Sequence, residues 1–440
     1  MSGGSGRHRC CPVRAKRPRE EKRTKTMFRH VRTIIASLPV LAFAAYLSSC
    51  GNPPDAEPYL IVSDSAGIEI VDFDLDRVPR YGTVEPEPDW VFGESSDQAG
   101  GVPLNDVTDA VLTSDGRVAV VNWSAQEIFL ADPGGEPWQR IGGRGGGPGE
   151  FDFIKSVSEE DGTVGVHDGG YRRWMTFRDG EFLESRELPR TGVAGPYLPD
   201  VVLPDGDAFY IGDAYAPPGS PGGVVIRRLV LVARVEDDVV DTIAVIPGDT
   251  GVDKITGVSP LFWGASYAVV KADSGVWLGD SALRELKLWS RSGELRGIVR
   301  WRSSDDRMLT RRRIDAFRDR VIEGRPWEYQ ARIRQNFRKM TFPSEIPAWG
   351  ALIPGRDGVL WISDYPGPAA EEPFRDPYPA QQWWGVDGTG RPVGRLVSPA
   401  GLQVTGFGPD FLVGIHKDSL RVETVRRHRI RKSTDVIRSP

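Results

Sequence analysis

Asp357-Gly358-Val359-Leu360-Trp361-Ile362-Ser363-Asp364 is a tight turn, a short apolar strand and a polar stop. The same phrase returns along the chain. It reads Asp115-Gly116-Arg117-Val118-Ala119-Val120-Val121-Asn122, then Asp161-Gly162-Thr163-Val164-Gly165-Val166-His167-Asp168. It returns as Asp205-Gly206-Asp207-Ala208-Phe209-Tyr210-Ile211-Gly212-Asp213 and as Asp273-Ser274-Gly275-Val276-Trp277-Leu278-Gly279-Asp280. A looser copy runs from Asp410 to Asp418. The Asp-Gly pair turns the chain, and the β-branched and aromatic run that follows suits a strand. Most copies follow another apolar run, such as Val107–Leu112, Val201–Leu203 or Tyr267–Val270. Each precedes a third, such as Glu127–Leu130, Trp174–Phe177 or Leu286–Trp289. The repeating unit is an antiparallel meander.

The markers at 115, 161, 205, 273, 357 and 410 are separated by 46, 44, 68, 84 and 53 residues. The shorter gaps match the roughly 40–50 residues of a four-stranded propeller blade, and the longer ones leave room for insertions. A linear array of such sheets would expose edges that a ring removes. The fold expected is all-β, a six-bladed β-propeller over residues 59–430. One further strand, Arg421–Ile430, follows the last marker. Tyr59–Asp64 and Ile68–Phe73 precede the first, so this segment is expected to close the ring by pairing with the last blade. Composition agrees: 51 Gly and 35 Pro imply many turns, and 13 Trp need large packed surfaces to bury them.

Ile141-Gly142-Gly143-Arg144-Gly145-Gly146-Gly147-Pro148-Gly149-Glu150-Phe151, followed by Asp161-Gly162, Asp168 and Phe177, resembles an NHL-type repeat. In such repeats glycines carry the chain from the outer strand of one blade to the inner strand of the next. With Leu360–Asp364, Trp384–Arg391 and the closing Leu412, Val422 and Val425, the whole of 59–430 is similar to bacterial six-bladed β-propeller lipoproteins. The resemblance implies the fold and assigns no activity. Read as a phosphate loop, Gly142–Gly149 lacks both the Gly-Lys-Ser/Thr ending and GxGxxG spacing.

The N-terminus reads as an address. Residues 33–47, TIIASLPVLAFAAYL, are uncharged and follow Arg29 and Arg32. They are too short to span a bilayer, but they have the form of a secretory signal. Leu47-Ser48-Ser49-Cys50 resembles a lipobox, which implies a diacylglyceryl group on Cys50 and cleavage before it. Residues 1–50 are then an N-terminal extension and signal, with translation starting at Met1 or Met27. Residues 51–58 are a tether, and 431–440 a tail. The expected location is the cell envelope, on the periplasmic or outer-membrane side, held to the membrane by N-terminal lipid. Residues 1–50 carry a formal charge of +9 and residues 51–440 one of −14. The acidic body argues against a nucleic-acid partner.

Candidate sites follow from the fold. The recurring Asp168, Asp213, Asp280, Asp364 and Asp418 sit once per blade and read as turn caps rather than a metal ring. Innermost strands face the central channel, and Asp109, Asp200, Tyr267 and Trp349 fall there, with Tyr197 and Trp263 near a rim. Residues 305–340 form a helical insertion between the fourth and fifth markers. Ile314, Phe317 and Val321 make one stripe, and Ile333, Phe337 and Met340 continue it after Pro326. That insertion has 11 Lys/Arg against 6 Asp/Glu, and Arg311, Arg312 and Arg313 are placed to meet an anionic group. Arg426–Lys432 is a second basic cluster. All three cysteines lie within the first fifty residues, and only His167, His416 and His428 remain in the body. No metal set, Cys–His pair or nucleophile elbow is assembled, so no cofactor is expected. The chain reads as a module binding a small ligand or an envelope protein. The alternative is a Ca²⁺-dependent lactonase or esterase acting in the channel.

Overall fold

The computed structural model describes residues 58–93, 104–134, 138–188, 199–202, 208–215, 225–236, 239–254, 257–323, 325–367, 378–418 and 420–433. Each repeat folds as a meander whose strands hydrogen-bond in chain order, and together they make a β-propeller. The first sheet holds Val107–Leu112, Val118–Asn122, Glu127–Ala131 and Gln139–Ile141. The second holds Ile154–Glu160, Thr163–Asp168, Arg173–Arg178 and Glu181–Glu187. The third is built from Pro199–Val202, Ala208–Tyr215, the long hairpin Val225–Glu236 and Val239–Lys254, and Gly257–Pro260. The hairpin from Val225 to Lys254 takes 30 of the 68 residues that follow the third marker. The fourth holds Tyr267–Ala272, Gly275–Asp280, Glu285–Ser290 and Leu295–Arg302. The fifth holds Leu352–Pro354, Leu360–Ser363, Gln382–Val386 and Pro392–Val397, and the sixth Leu402–Phe407, Phe411–Lys417 and Glu423–Lys432.

First strands adjoin one another around an axis: first with second, third with fourth, fourth with fifth, fifth with sixth, and sixth back to first. The core lies between the sheets. Ile128, Leu130, Phe151, Val166 and Met175 fill the space between the first and second. Val118, Val120, Phe129, Val413 and Val425 do so between the sixth and first. Trp277, Trp301, Trp349 and Trp384 lie between the fourth and fifth, and Trp361, Trp383 and Phe407 between the fifth and sixth. Large indole faces bury the area that such radial interfaces need.

The expected ring closure is corrected. Leu60–Ser65 and Ile68–Asp74 do not meet the last sheet. Ile68–Asp74 pairs in parallel with Leu295–Arg302, on the outer edge of the fourth sheet. Val71 and Phe73 alternate inward and bury against it, with Phe73 stacked on Trp301 at 6.4 Å between centroids. The strands that pair with the last sheet are shorter and later. Gly82–Val84 joins Ile430–Lys432, and Trp90–Phe92 joins Val425–Arg427. Gly82 is required there, because a Cβ would strike the Arg431 carbonyl.

The insertion forms two helices, α1 (Arg311–Ile322) and α2 (Trp327–Lys339). The Thr310 hydroxyl caps α1 by accepting from the Arg313 amide at 3.3 Å. Ile314, Phe317 and Val321 bury against Trp263, and Ile333 and Phe337 of α2 pack on that cluster from outside. Met340 does not continue the stripe; it lies at the C-terminal end of α2 and is exposed.

Candidate functional site

The ring has two unlike ends. At the turn end, the tight Asp-Gly turns come together. Glu159, wholly buried, accepts from the Ser114 amide at 3.0 Å, the Ser114 hydroxyl at 2.7 Å and the Gly162 amide at 2.7 Å. Arg356 reaches it from the fifth sheet, across the axis from the second. Lys271 of the fourth sheet pairs with neighbouring Glu160 at 2.9 Å. The first, second, fourth and fifth sheets are therefore tied at one mouth by charge-assisted bonds.

The connector end is where the chain passes from sheet to sheet. The glycine-rich connector meets the expectation of a blade link. Phe151 N donates to Gly143 O at 2.8 Å, and Gly145 N to Phe151 O at 3.0 Å. The Glu150 carboxylate accepts from Gly147 N at 2.7 Å, filling a place where an anion would bind. Gly142 has a φ of +72°, and a side chain there would hit the Phe151 ring.

Asp168 caps this end of the second sheet. It is buried and accepts from the amides of Asp152, Phe153 and Gly170 at 3.1–3.3 Å, and from Arg173 Nε at 3.2 Å. Asp418 caps similarly, taking the amides of Leu420 and Val422 at 2.8 Å. Asp364, at the equivalent place in the fifth sheet, differs. Its Oδ1 accepts from the Gln382 amide at 3.1 Å. Burial pushes its carboxyl up to about 7, and the charge on Asp305 adds to the rise.

Asp305 belongs to a cluster that the repeat pattern gave no reason to single out. It pairs with Arg284 of the fourth sheet. Beside them Arg307 donates to the carbonyls of Ala282 and Ile346, both at 3.0 Å, and pairs with Glu345 at 3.2 Å. Burial lowers the Arg307 guanidinium from its ordinary value, while the Glu345, Asp305 and Asp280 charges oppose this. The signal that would have found these residues is position: the last strand of the fourth sheet delivers Asp305 and Arg307 straight to the base of the helical insertion.

Of the residues expected to bind, Asp109 is partly buried on the first strand of the first sheet. Burial raises its carboxyl to about 6 against one opposing bond, from Ala110 N at 2.8 Å. Tyr267 is partly buried on the first strand of the fourth sheet. Trp263 and Trp349 are packed away instead, Trp263 under α1 and Trp349 with its Nε1 on the Leu283 carbonyl at 3.0 Å. Arg313 donates to the carbonyls of Asp306 and Met308, which fixes the approach to α1; Arg311 pairs with Asp315, and Arg312 is exposed. These residues do not form one constellation. Asp200 lies in the strand Pro199–Val202, and its side chain, like Tyr197 and Cys50, is outside the described residues. Among the described residues no three His, Cys, Asp or Glu stand together as a metal site requires.

No protein family matches the chain, and no curated protein matches it in sequence. Solved structures of similar architecture exist at low identity. A candidate exported protein of Bacteroides fragilis is 11% identical, with 82% of this chain and 100% of that one covered at a TM-score of 0.43. A member of the DUF4221 family from Bacteroides vulgatus is 12% identical over 80% and 100%, with a TM-score of 0.41. The virginiamycin B lyase of Staphylococcus aureus is 10% identical over 74% and 97%, with a TM-score of 0.36.

Proposed function

We propose that the chain is an exported, lipid-anchored propeller of six blades whose connector end binds a small ligand or a segment of an envelope protein. The observation that carries the reading is the asymmetry of the two ends. The turn end spends its buried acid on Ser114, Gly162 and Arg356. The connector end carries the helical insertion, the Arg284, Asp305 and Arg307 cluster, and Asp364 with its carboxyl raised to about 7. Convergent polar groups with shifted protonation beside a wall of inserted structure are what a binding site needs. Six blades are supported by six sheets and by the shared core of the sixth with the first. Export and anchoring rest on the signal-like segment and Leu47–Cys50.

Two measurements test this. Cys50→Ser abolishes palmitate labelling and moves the chain from the membrane to the soluble fraction; retention after high-salt washing would sink the anchor. A photo-crosslinking residue at Asp305 or Gln382 captures an adduct in living cells, and one at Ser292 on the turn end does not. Equal capture at both ends, or none at either, overturns the assignment of the binding end.

The carboxyls of Asp364 and Asp109 also favour a second reading. Acids lifted toward neutral pH suit general acid–base work, as in a Ca²⁺-dependent lactonase or esterase. Ester or lactone turnover that rises with added Ca²⁺ and falls with Asp364→Asn would establish it.

A further inference from the structure

The helical insertion presents a surface that nothing in the propeller uses. Residues of α2 are exposed except along the Gln330, Ile333 and Phe337 side, which faces α1. Trp327 is 76% exposed and Tyr329 48% exposed. Along α2 stand Arg332, Arg334, Arg338 and Lys339 against a single acid, Glu328. The Arg332 guanidinium lies 5.1 Å over the Tyr329 ring. At about 100° per residue, Trp327, Arg334 and Arg338 share one flank of α2, and Tyr329 and Arg332 the other, in a body of charge −14. Neither helix is long or apolar enough to cross a bilayer.

The contrasting basic cluster shows that such charge is elsewhere neutralised. Arg427 and Arg429 are held by Asp89 at 2.9 and 2.7 Å, and Arg431 pairs with Glu85.

A second, independent observation is where the chain enters the fold. Leu60 pairs with Phe73, and Phe73 with Trp301, at the end of the strand from which the insertion departs. Asp76 then accepts from the Ser304 amide at 2.7 Å, joining the entry segment to the foot of the insertion. The step from Cys50 to Tyr59 reaches about 30 Å at full extension. A lipid on Cys50 therefore keeps this end of the fourth sheet near the bilayer.

We infer that the flank of α2 carrying Trp327, Ala331, Arg334 and Arg338 lies on an anionic membrane surface, with Trp327 at headgroup level and the two arginines on lipid phosphates. This rests on the anchored reading for its orientation and on the helix face for its chemistry. An interfacial tryptophan with arginines two and three turns along the same flank is suited to that boundary. Docking would hold the propeller in a fixed attitude, with its connector end toward the membrane and its turn end away.

The test uses the full chain, processed in a bacterial host and reconstituted in vesicles. Cys10 and Cys11 precede the cleavage point and Cys50 is acylated, so an introduced cysteine labels uniquely. An environment-sensitive fluorophore at Ala331→Cys shifts to the blue on vesicles containing phosphatidylglycerol, and stays unshifted on phosphatidylcholine alone. The same label at Ser292→Cys, on the opposite end of the fourth sheet, shifts on neither. Arg334→Gln with Arg338→Gln weakens the response roughly fivefold per charge removed. Trp327→Ser abolishes it and Tyr329→Ser, on the opposite flank, does not, while either chain still sediments with vesicles through its lipid; loss with Tyr329→Ser alone overturns the assignment of the flank. A membrane-bound chain whose Ala331 label never shifts overturns docking and leaves anchoring intact. A chain released with no lipid overturns anchoring; vesicles added to that soluble chain then decide docking by the same shift, and its absence overturns docking as well.

Discussion

Asp168 and Asp364 stand at the same place in the second and fifth sheets, each ending the strand that follows an Asp-Gly turn. Their surroundings separate them. The second sheet is entered by a short connector, whose Asp152 and Phe153 amides fall onto Asp168 while Arg173 completes the set. The fifth sheet is entered from the helical insertion, whose foot brings Asp305 toward Asp364 instead. A repeat therefore yields a structural acid by default. An insertion that removes the donors and adds a like charge turns the same acid into one that titrates near neutrality.

Removing the satisfied acid has the larger effect. Asp168→Ala leaves Arg173 and the part-buried amides of Asp152, Phe153 and Gly170 without their acceptor and costs about 3–5 kcal/mol. Urea denaturation measures it; a loss below 1 kcal/mol would show that the two sites differ less than their bonding suggests. The turn end provides a companion. Arg356→Ala leaves Glu159 its Ser114 and Gly162 donors but not its cation, costing about 2–3 kcal/mol. Glu159→Gln added to that variant recovers part of the loss, because the uncompensated charge goes with it, and a double-mutant cycle isolates the coupling.

Asp364 responds in the opposite sense. Its folded carboxyl, near 7, lies above the ordinary 3.8, so between those values the folded chain holds a proton that the unfolded chain has released. Stability therefore falls as pH rises through this window, by at most about 1.4 kcal/mol per unit and at most about 4 kcal/mol in all. Asp364→Asn removes the slope: relative to the parent it gains stability at pH 8 and little at pH 4. Parallel curves for parent and variant would place the titrating group elsewhere.

The legible part of the fold was the part that repeats. Strands such as Val107–Leu112 and Glu127–Ala131 announce themselves through alternation and turns, and α1 through the spacing of Ile314, Phe317 and Val321. The ring closure was not legible, because Gly82–Val84 and Trp90–Phe92 are three-residue strands, too short to show a period, while the longer Ile68–Asp74 drew attention. The site was opaque for a related reason. Trp263 and Trp349 are aromatic whether they meet a ligand or another sheet, and only packing shows that they bury. Arg284, Asp305 and Arg307 are ordinary charges until the fold brings three connections together.

The smallest effect sharpens the contrast in sign. Asp89 is an acid at the edge of the sixth sheet, gripped by Arg427 and Arg429. Burial alone would raise its carboxyl, but the hydrogen bonds and charges of the two guanidiniums outweigh this and hold it below the ordinary value. A lowered carboxyl contributes stability that is present above the unfolded value and is lost as pH falls through the folded one. Asp89→Asn therefore costs about 0.5–1 kcal/mol at neutral pH and less at pH 3, the reverse of the course expected for Asp364→Asn. Because the pair lies at the surface, 1 M salt should shrink the cost further, whereas the more deeply set Asp168 should scarcely respond. Matching salt and pH responses at Asp89 and Asp364 would mean that both acids are merely solvated, and the fifth sheet would lose its claim to a distinct site.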